Sequence, residues 1–141
     1  MTIHITATPE ETKRVAAEFA RSLHGGEIVF LEGELGAGKT TFVKGLVEAL
    51  GSTDDARSPT FSVMNLYQTS GNQIAQVAHL DCYRLKRPEE LLELGLEDLL
   101  NRTDTVLVVE WPPVELTPPA DRIRRIKCTI VDDQTRQIEI A

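Results

Sequence analysis

The residues best suited to chemistry lie together between Gly33 and Thr41, in the run G-E-L-G-A-G-K-T-T. Glycine at 33 and 38, lysine at 39 and a hydroxyl at 40 fit the spacing G-x-x-x-x-G-K-[ST] of a phosphate-binding loop. The residue types follow from what such a loop holds. A triphosphate is a dense negative charge, so backbone N–H groups must point at it, and glycines let the chain curl into that concave nest. Lys39 carries a compact positive charge that reaches the β- and γ-phosphates, and the Thr40 hydroxyl can ligate Mg²⁺. A helix starting here adds the positive end of its dipole.

The flanking sequence supplies the elements that such a loop needs. Upstream, Ile28-Val29-Phe30-Leu31 is a short apolar run that reads as a buried strand. Downstream, Thr41 to Leu50 reads as a helix that stops at Gly51. Before this unit, Ile3 to Thr6 alternates like a short strand, and Thr8-Pro9-Glu10-Glu11 opens a helix. There Thr8 is the N-cap, Pro9 takes the first helical position and Glu11 completes a capping box. Val15, Phe19 and Leu23 give that helix one apolar face, and Gly25-Gly26 ends it.

A second set of polar residues follows. Pro59 bars helix at Ser58, so Arg57 to Ser62, with Thr60 at its centre, is extended or turned. Ser62 to Thr69 and Ile74 to Tyr83 read as two strands of a hairpin joined at residues 70–73, which makes the sheet mixed. In the second strand, alternation places His79, Asp81 and Tyr83 on one face, and Leu80, Cys82 and Arg84 on the other. The polar face has two readings. It is the solvent side of an edge strand, or Asp81 orients water or binds Mg²⁺ beside a nucleotide.

Pro88-Glu89-Glu90 opens a further helix with Leu91, Leu92, Leu96, Leu99 and Leu100 on its apolar side, and Gly95 inside it marks a break or a close contact. Val106 to Val109 reads as a central strand buried on both faces, and it delivers Glu110 and Trp111 at its end. Glu110 is either a solvated loop acid or, in the place where a phosphate-binding-loop protein holds Mg²⁺, a metal ligand, the reading that burial of the strand favours, and Trp111 reads as packing. The chain closes with a hairpin, Arg122 to Val131 and Gln137 to Ile140, in which Ile126, Cys128 and Ile130 face one way. Arg122, Arg124, Arg125 and Lys127 form a basic strip there, either a solvated face or a docking patch.

Composition bounds the function classes. At 141 residues the chain is read as one α/β domain, residues 1–141, with a mixed sheet flanked by helices. No apolar run approaches the roughly 20 residues that span a bilayer, and the N-terminus lacks the pattern of a signal peptide. Cys82 and Cys128 occur without a C-x-x-C, which argues against a disulfide scaffold or zinc site and suits a reducing cytoplasm. The net charge of −7 weighs against strong direct binding to nucleic acid.

In order along the chain stand G-E-L-G-A-G-K-T-T, S-P-T-F, H-L-D-C-Y-R, E-E-L with L-G-L-E-D-L-L, and V-E-W. This series, from about Glu27 to Trp111, resembles the TsaE (YjeE) family, the bacterial ATPase of tRNA threonylcarbamoyladenosine modification. The resemblance implies a P-loop NTPase-like mixed sheet, ATP and Mg²⁺ as ligands, and work in a complex with the TsaD and TsaB proteins that touches tRNA only indirectly. Carried over by residue, the loop from Glu34 through Leu35, Gly36, Ala37, Gly38, Lys39 and Thr40 to Thr41 would bind phosphates. Thr40 and Glu110 would hold Mg²⁺. Thr60 would sit in a switch-like loop near the γ-phosphate, and Asp81 would orient or deprotonate the attacking water. Tyr83 and Trp111 would lie against the nucleotide. One departure is visible: the family continues after the tryptophan with a charged E-R-type segment, where this chain has Pro112-Pro113-Val114-Glu115. Two rival readings share the loop: a small-molecule kinase, which would transfer phosphate to a metabolite, and a nucleotide-gated binding module, which would need neither Asp81 nor Glu110.

Overall fold

The computed structural model describes residues 1–54, 63–71, 73–87 and 89–141. Arg57, the run from Ser58 to Ser62 that contains Thr60, Asn72 of the first hairpin turn, and Pro88 lie outside the described residues.

The chain starts as β1 (Thr2–Thr6) and turns at Thr8 into α1 (Pro9–Arg21). Thr8 Oγ1 accepts the Glu11 N–H at 3.1 Å, and the Glu11 carboxylate reaches back to the Ala7 N–H, one residue before the cap. β2 (Ile28–Glu32), buried over its first four residues, leads through the glycine loop into α2 (Lys39–Ala49). The expected hairpin is present as β3 (Met64–Gln68) and β4 (Gln76–Asp81), antiparallel with Met64 opposite Leu80. A 3-10 turn at Cys82–Arg84 leads towards two short helices, α3 (Glu90–Glu93) and α4 (Leu96–Asn101). Then come β5 (Thr105–Glu110), β6 (Ile123–Ile130) and β7 (Arg136–Ile140).

These strands form one sheet in the order β1-β7-β6-β2-β5-β4-β3. β6, β2, β5 and β4 run parallel, while β7 and β3 pair antiparallel with their neighbours, so the sheet is mixed as expected. Strand alternation divides the core. Val29, Leu31, Val106 and Val108 meet α1 and α2 on one face, whereas Ile28, Phe30, Leu107 and Val109 meet Leu91 and Leu96 on the other. The two buried cysteines are free, with Cys82 packed on the α3–α4 side and Cys128 on the α1–α2 side.

Five local expectations change or narrow. β4 is not an edge strand. It pairs with β3 and β5, and His79 is fully buried, so the polar face is not the solvent side of an edge strand. The strand also ends at Asp81. The Asp81 carboxylate caps the 3-10 turn by accepting the Tyr83 N–H at 3.1 Å, and side-chain alternation stops there. Tyr83 is thrown outward, 75% exposed, and Arg84 Nε comes within 3.5 Å of Asp81 Oδ2 instead of lying on the opposite face. Gly95 is a break and not a packing contact: it has φ +77°, and a Cβ there would meet nothing within 4 Å. Finally, the basic strip is dispersed. Arg122 donates to the carbonyls of Gly26 and Leu100, Arg124 lies over Phe19 on one face of the sheet, and Arg125 lies over Phe30 on the other. Ile130, past the end of the covered surface, is partly exposed and does not join Ile126 and Cys128 in the core.

Candidate functional site

The parallel strands β2, β4 and β5 all end on the same side of the sheet, the usual ligand side of an α/β fold. There the glycine loop rises from β2. Gly33 has φ +153°, and a Cβ on it would stand 2.6 Å from the Cys128 carbonyl oxygen of β6, so only glycine fits. Gly36 and Gly38 both adopt positive φ, and Gly38 is the N-cap of α2. α2 receives no side-chain cap and has no acid in its first turn, whereas α1 has both Thr8 and two glutamates. The positive end of α2 is therefore left for an external anion. Arg136 braces the loop from behind: Nε donates to the Gly36 carbonyl at 3.1 Å, while the same guanidinium holds the Asp132 carbonyl at 2.8 Å.

A cleft of about 640 Å³ lies over this loop. Leu35, Gly36, Gly38, Lys39, Thr40 and Thr41 line it from the loop and helix, Asp81 and Tyr83 from the end of β4, and Glu110 and Trp111 from the end of β5. Glu34 is placed beside it, on an adjoining hollow shared with Trp111 and Pro112. Ala37 is turned away into the core, and its N–H donates to the Glu34 carbonyl at 3.0 Å. Thr60 is outside the described residues.

Glu110 is the electrostatic centre of the cleft. Oε1 lies 3.3 Å from Lys39 Nζ, and Oε2 lies 2.7 Å from His79 Nε2. Burial pushes its carboxyl up, but the contacts from His79 and then Lys39 outweigh burial and hold it below the ordinary glutamate range. Lys39 Nζ also stands 5.1 Å from the centre of the Trp111 ring, which packs against Tyr83 at 5.5 Å between centroids. Trp111 has φ +54°, a left-handed conformation uncommon for a bulky residue, and it turns the indole over the cleft rim. On the other side of the loop, Gly36, Gly38 and Thr41 border a smaller cleft of about 200 Å³, closed by Thr8, Pro9 and Gln134.

Three contributors escaped the sequence reading. His79 was legible only as a member of a polar face, because its burial depends on β5 pairing alongside. Arg84 was hidden by the unforeseen 3-10 turn. Arg136 reaches the loop from 100 residues away, and no local pattern announces it.

The donor chemistry suits Mg²⁺ held jointly with phosphate. Thr40 and Glu110 offer hard oxygen ligands, and no group of three or more His, Cys, Asp or Glu among the described residues forms an all-protein cage. No helix among the described residues is long and apolar enough to cross a membrane.

Comparisons with known proteins agree with this architecture. A family model described as "Threonylcarbamoyl adenosine biosynthesis protein TsaE" matches residues 6–138. A Rickettsia felis protein described as "tRNA threonylcarbamoyladenosine biosynthesis protein TsaE" is 38% identical over 93% of this chain and 74% of its own length. A Bacillus subtilis protein of the same description is 37% identical over 92% of this chain and 78% of its own. The crystal structure of Bacillus subtilis YdiB superposes with a TM-score of 0.69 at 27% identity, covering 99% of this chain and 83% of that one. With the model match spanning nearly the whole chain, this protein belongs to the TsaE family of tRNA threonylcarbamoyladenosine biosynthesis.

Proposed function

We propose that the chain binds ATP with Mg²⁺ over the glycine loop and hydrolyses it, in the cytoplasm and in company with the TsaD and TsaB proteins, in support of threonylcarbamoyladenosine formation at position 37 of tRNA. The observation that carries this reading is the convergence in one cleft of an uncapped helix N-terminus, a lysine and two carboxylates. An uncapped, acid-free helix start favours an anion, and Lys39 marks where the β- and γ-phosphates belong. The nucleoside would then leave past Thr41 towards the smaller cleft beside Pro9 and Gln134.

The side chains divide the work. The amides of residues 38–41 and Lys39 orient the phosphates. Thr40 and Glu110 would hold Mg²⁺, which would supply positive charge to the transferring phosphoryl group. Asp81, at the cleft wall, orients or deprotonates the attacking water. Tyr83 and Trp111 wall the phosphate end and limit water entry. Leu35 (95% exposed), Tyr83 and Trp111 make an apolar rim suited to the TsaD–TsaB pair. A net charge of −7 fits an indirect relation to tRNA.

Titration calorimetry with ATP and Mg²⁺ tests the reading. Wild type should bind and Lys39→Ala should lose most of the affinity and all detectable hydrolysis. Equal ATP affinity in the two proteins defeats it. Turnover of ATP to ADP and phosphate without an added acceptor separates it from a metabolite kinase.

A further inference from the structure

Glu110 is gripped from two sides, and only one grip comes from a residue given a role above. The other comes from His79. This imidazole is fully buried, its Nε2 lies 2.7 Å from Glu110 Oε2, and its Nδ1 has no hydrogen-bond partner among the described residues. A buried, unpaired polar atom is destabilising. An apolar side chain would fill the same space without that cost, so what the imidazole adds here is its one bond to Glu110.

The register explains how that bond forms. β4 and β5 are parallel neighbours, with His79 opposite Val108 and Asp81 opposite Glu110. Val77 and Val108 belong to the face that carries α2, so by alternation His79, Asp81 and Glu110 rise from that face as well. His79 stands one pleat deeper than Glu110 and meets Oε2 from below, which leaves Oε1 at the level of Lys39.

We infer that His79 is a positioning residue: it fixes Oε2 of Glu110 so that Oε1 alone exchanges partners, passing from Lys39 to the metal when Lys39 turns to the phosphates. The inference rests on the nucleotide reading above. A carboxylate pinned at one oxygen cannot swing after the departing ammonium, so the exchange leaves Glu110 aimed at the cleft. Partners that orient a metal ligand from behind generally matter to metal affinity by about 10–100-fold.

The test is the ratio of ADP affinity with and without Mg²⁺, measured by calorimetry on wild type, His79→Leu, His79→Gln and Glu110→Gln. His79→Leu should lose about tenfold or more of the Mg²⁺ advantage and approach Glu110→Gln. His79→Gln, whose amide nitrogen reaches the place of Nε2, should recover most of it. If the leucine variant does not fold by circular dichroism, His79→Asn, too short to reach Oε2, replaces it with the same expectation. Trp111 emission of the nucleotide-free proteins gives a second readout, because Lys39 lies over the indole and is held there through Glu110. It should shift in the leucine or asparagine variant and stay near wild type in the glutamine variant. A folded leucine or asparagine variant with the wild-type Mg²⁺ ratio overturns the inference, as does unchanged Trp111 emission. Absence of any nucleotide binding by wild type instead sinks the nucleotide reading, and the emission arm still decides the role of His79.

Discussion

Asp81 and Glu110 end adjacent parallel strands as direct register partners, yet their surroundings suit them to the different roles proposed for them. Glu110 is buried and has both oxygens engaged, one by Lys39 and one by His79, which suits a fixed metal ligand. Asp81 sits nearer the opening. Oδ1 accepts the Tyr83 N–H and Oδ2 faces the half-exposed Arg84, a pair of the solvent-screened kind that contributes at most about 1 kcal/mol. It is therefore the acid that can turn to a water. Asp81→Asn keeps an acceptor for the turn and removes only the charge. We expect ATP hydrolysis to fall about 10²–10⁴-fold, while the urea midpoint moves by no more than that pair contributes. Full activity in the variant would show that Asp81 only caps its turn.

At the scale of elements, the loop is only as rigid as the helix behind it, and α2 is fixed by its contact with α1. Gly45 is at the crossing. A Cβ there would stand 2.7 Å from Lys13 Cα and 2.8 Å from the Lys13 carbonyl oxygen, backbone atoms that cannot rotate away. Two effects compete in Gly45→Ala. Helix propensity favours alanine by about 1 kcal/mol, while forcing atoms into a filled interface costs about 1–3 kcal/mol. The clash is with backbone, so we expect net destabilisation in urea melts, and a stabilised variant would mean that the helices are free to part. This contact also illustrates what the sequence could and could not convey. The loop, α2, β5 and the hairpin of β3 and β4 were legible because each follows from local periodicity and turn chemistry. The burial of His79, the clash at Gly45 and the reach of Arg136 to Gly36 were not, since each depends on which strand or helix comes to lie alongside. Asp81 fell between these cases. Its sequence suits both a strand residue and the cap of a turn, and the hydrogen bond to Tyr83 settles it as both at once, which displaced Tyr83 and Arg84 from their expected faces.

Across the whole molecule, the sheet divides two regions that behave differently. Its core is closed: Cys82 and Cys128 lie on opposite sides, and burial above all pushes each thiol up to about 12, with the Asp81 charge adding to it for Cys82. Because the thiolate is the reactive form, the folded protein at pH 8 should label with iodoacetamide only as fast as it unfolds, and both cysteines should react promptly in denaturant. Fast labelling of the native state would mean that the layers open. The cleft side, by contrast, is open, with Leu35, Tyr83 and Trp111 exposed around it. Phosphoryl transfer is lowered mainly by charge placed around the γ-phosphate, and an arginine supplied by a partner is worth about 10³–10⁵ in rate. Arg84 already lines the cleft, but it is half-exposed and faces Asp81, so its charge is partly spent on that acid and on solvent. A site with such a rim and such an arginine has the reagents without the enclosure. We therefore expect the isolated chain to hydrolyse ATP well below about 1 s⁻¹, the low end of ordinary enzyme turnover, and the TsaD–TsaB pair to raise the rate by covering the rim. Steady-state phosphate release by the pure chain, then with the pair added, measures this directly. A lone chain that already reaches about 1 s⁻¹ and does not respond to the pair would show that the cleft needs no cover.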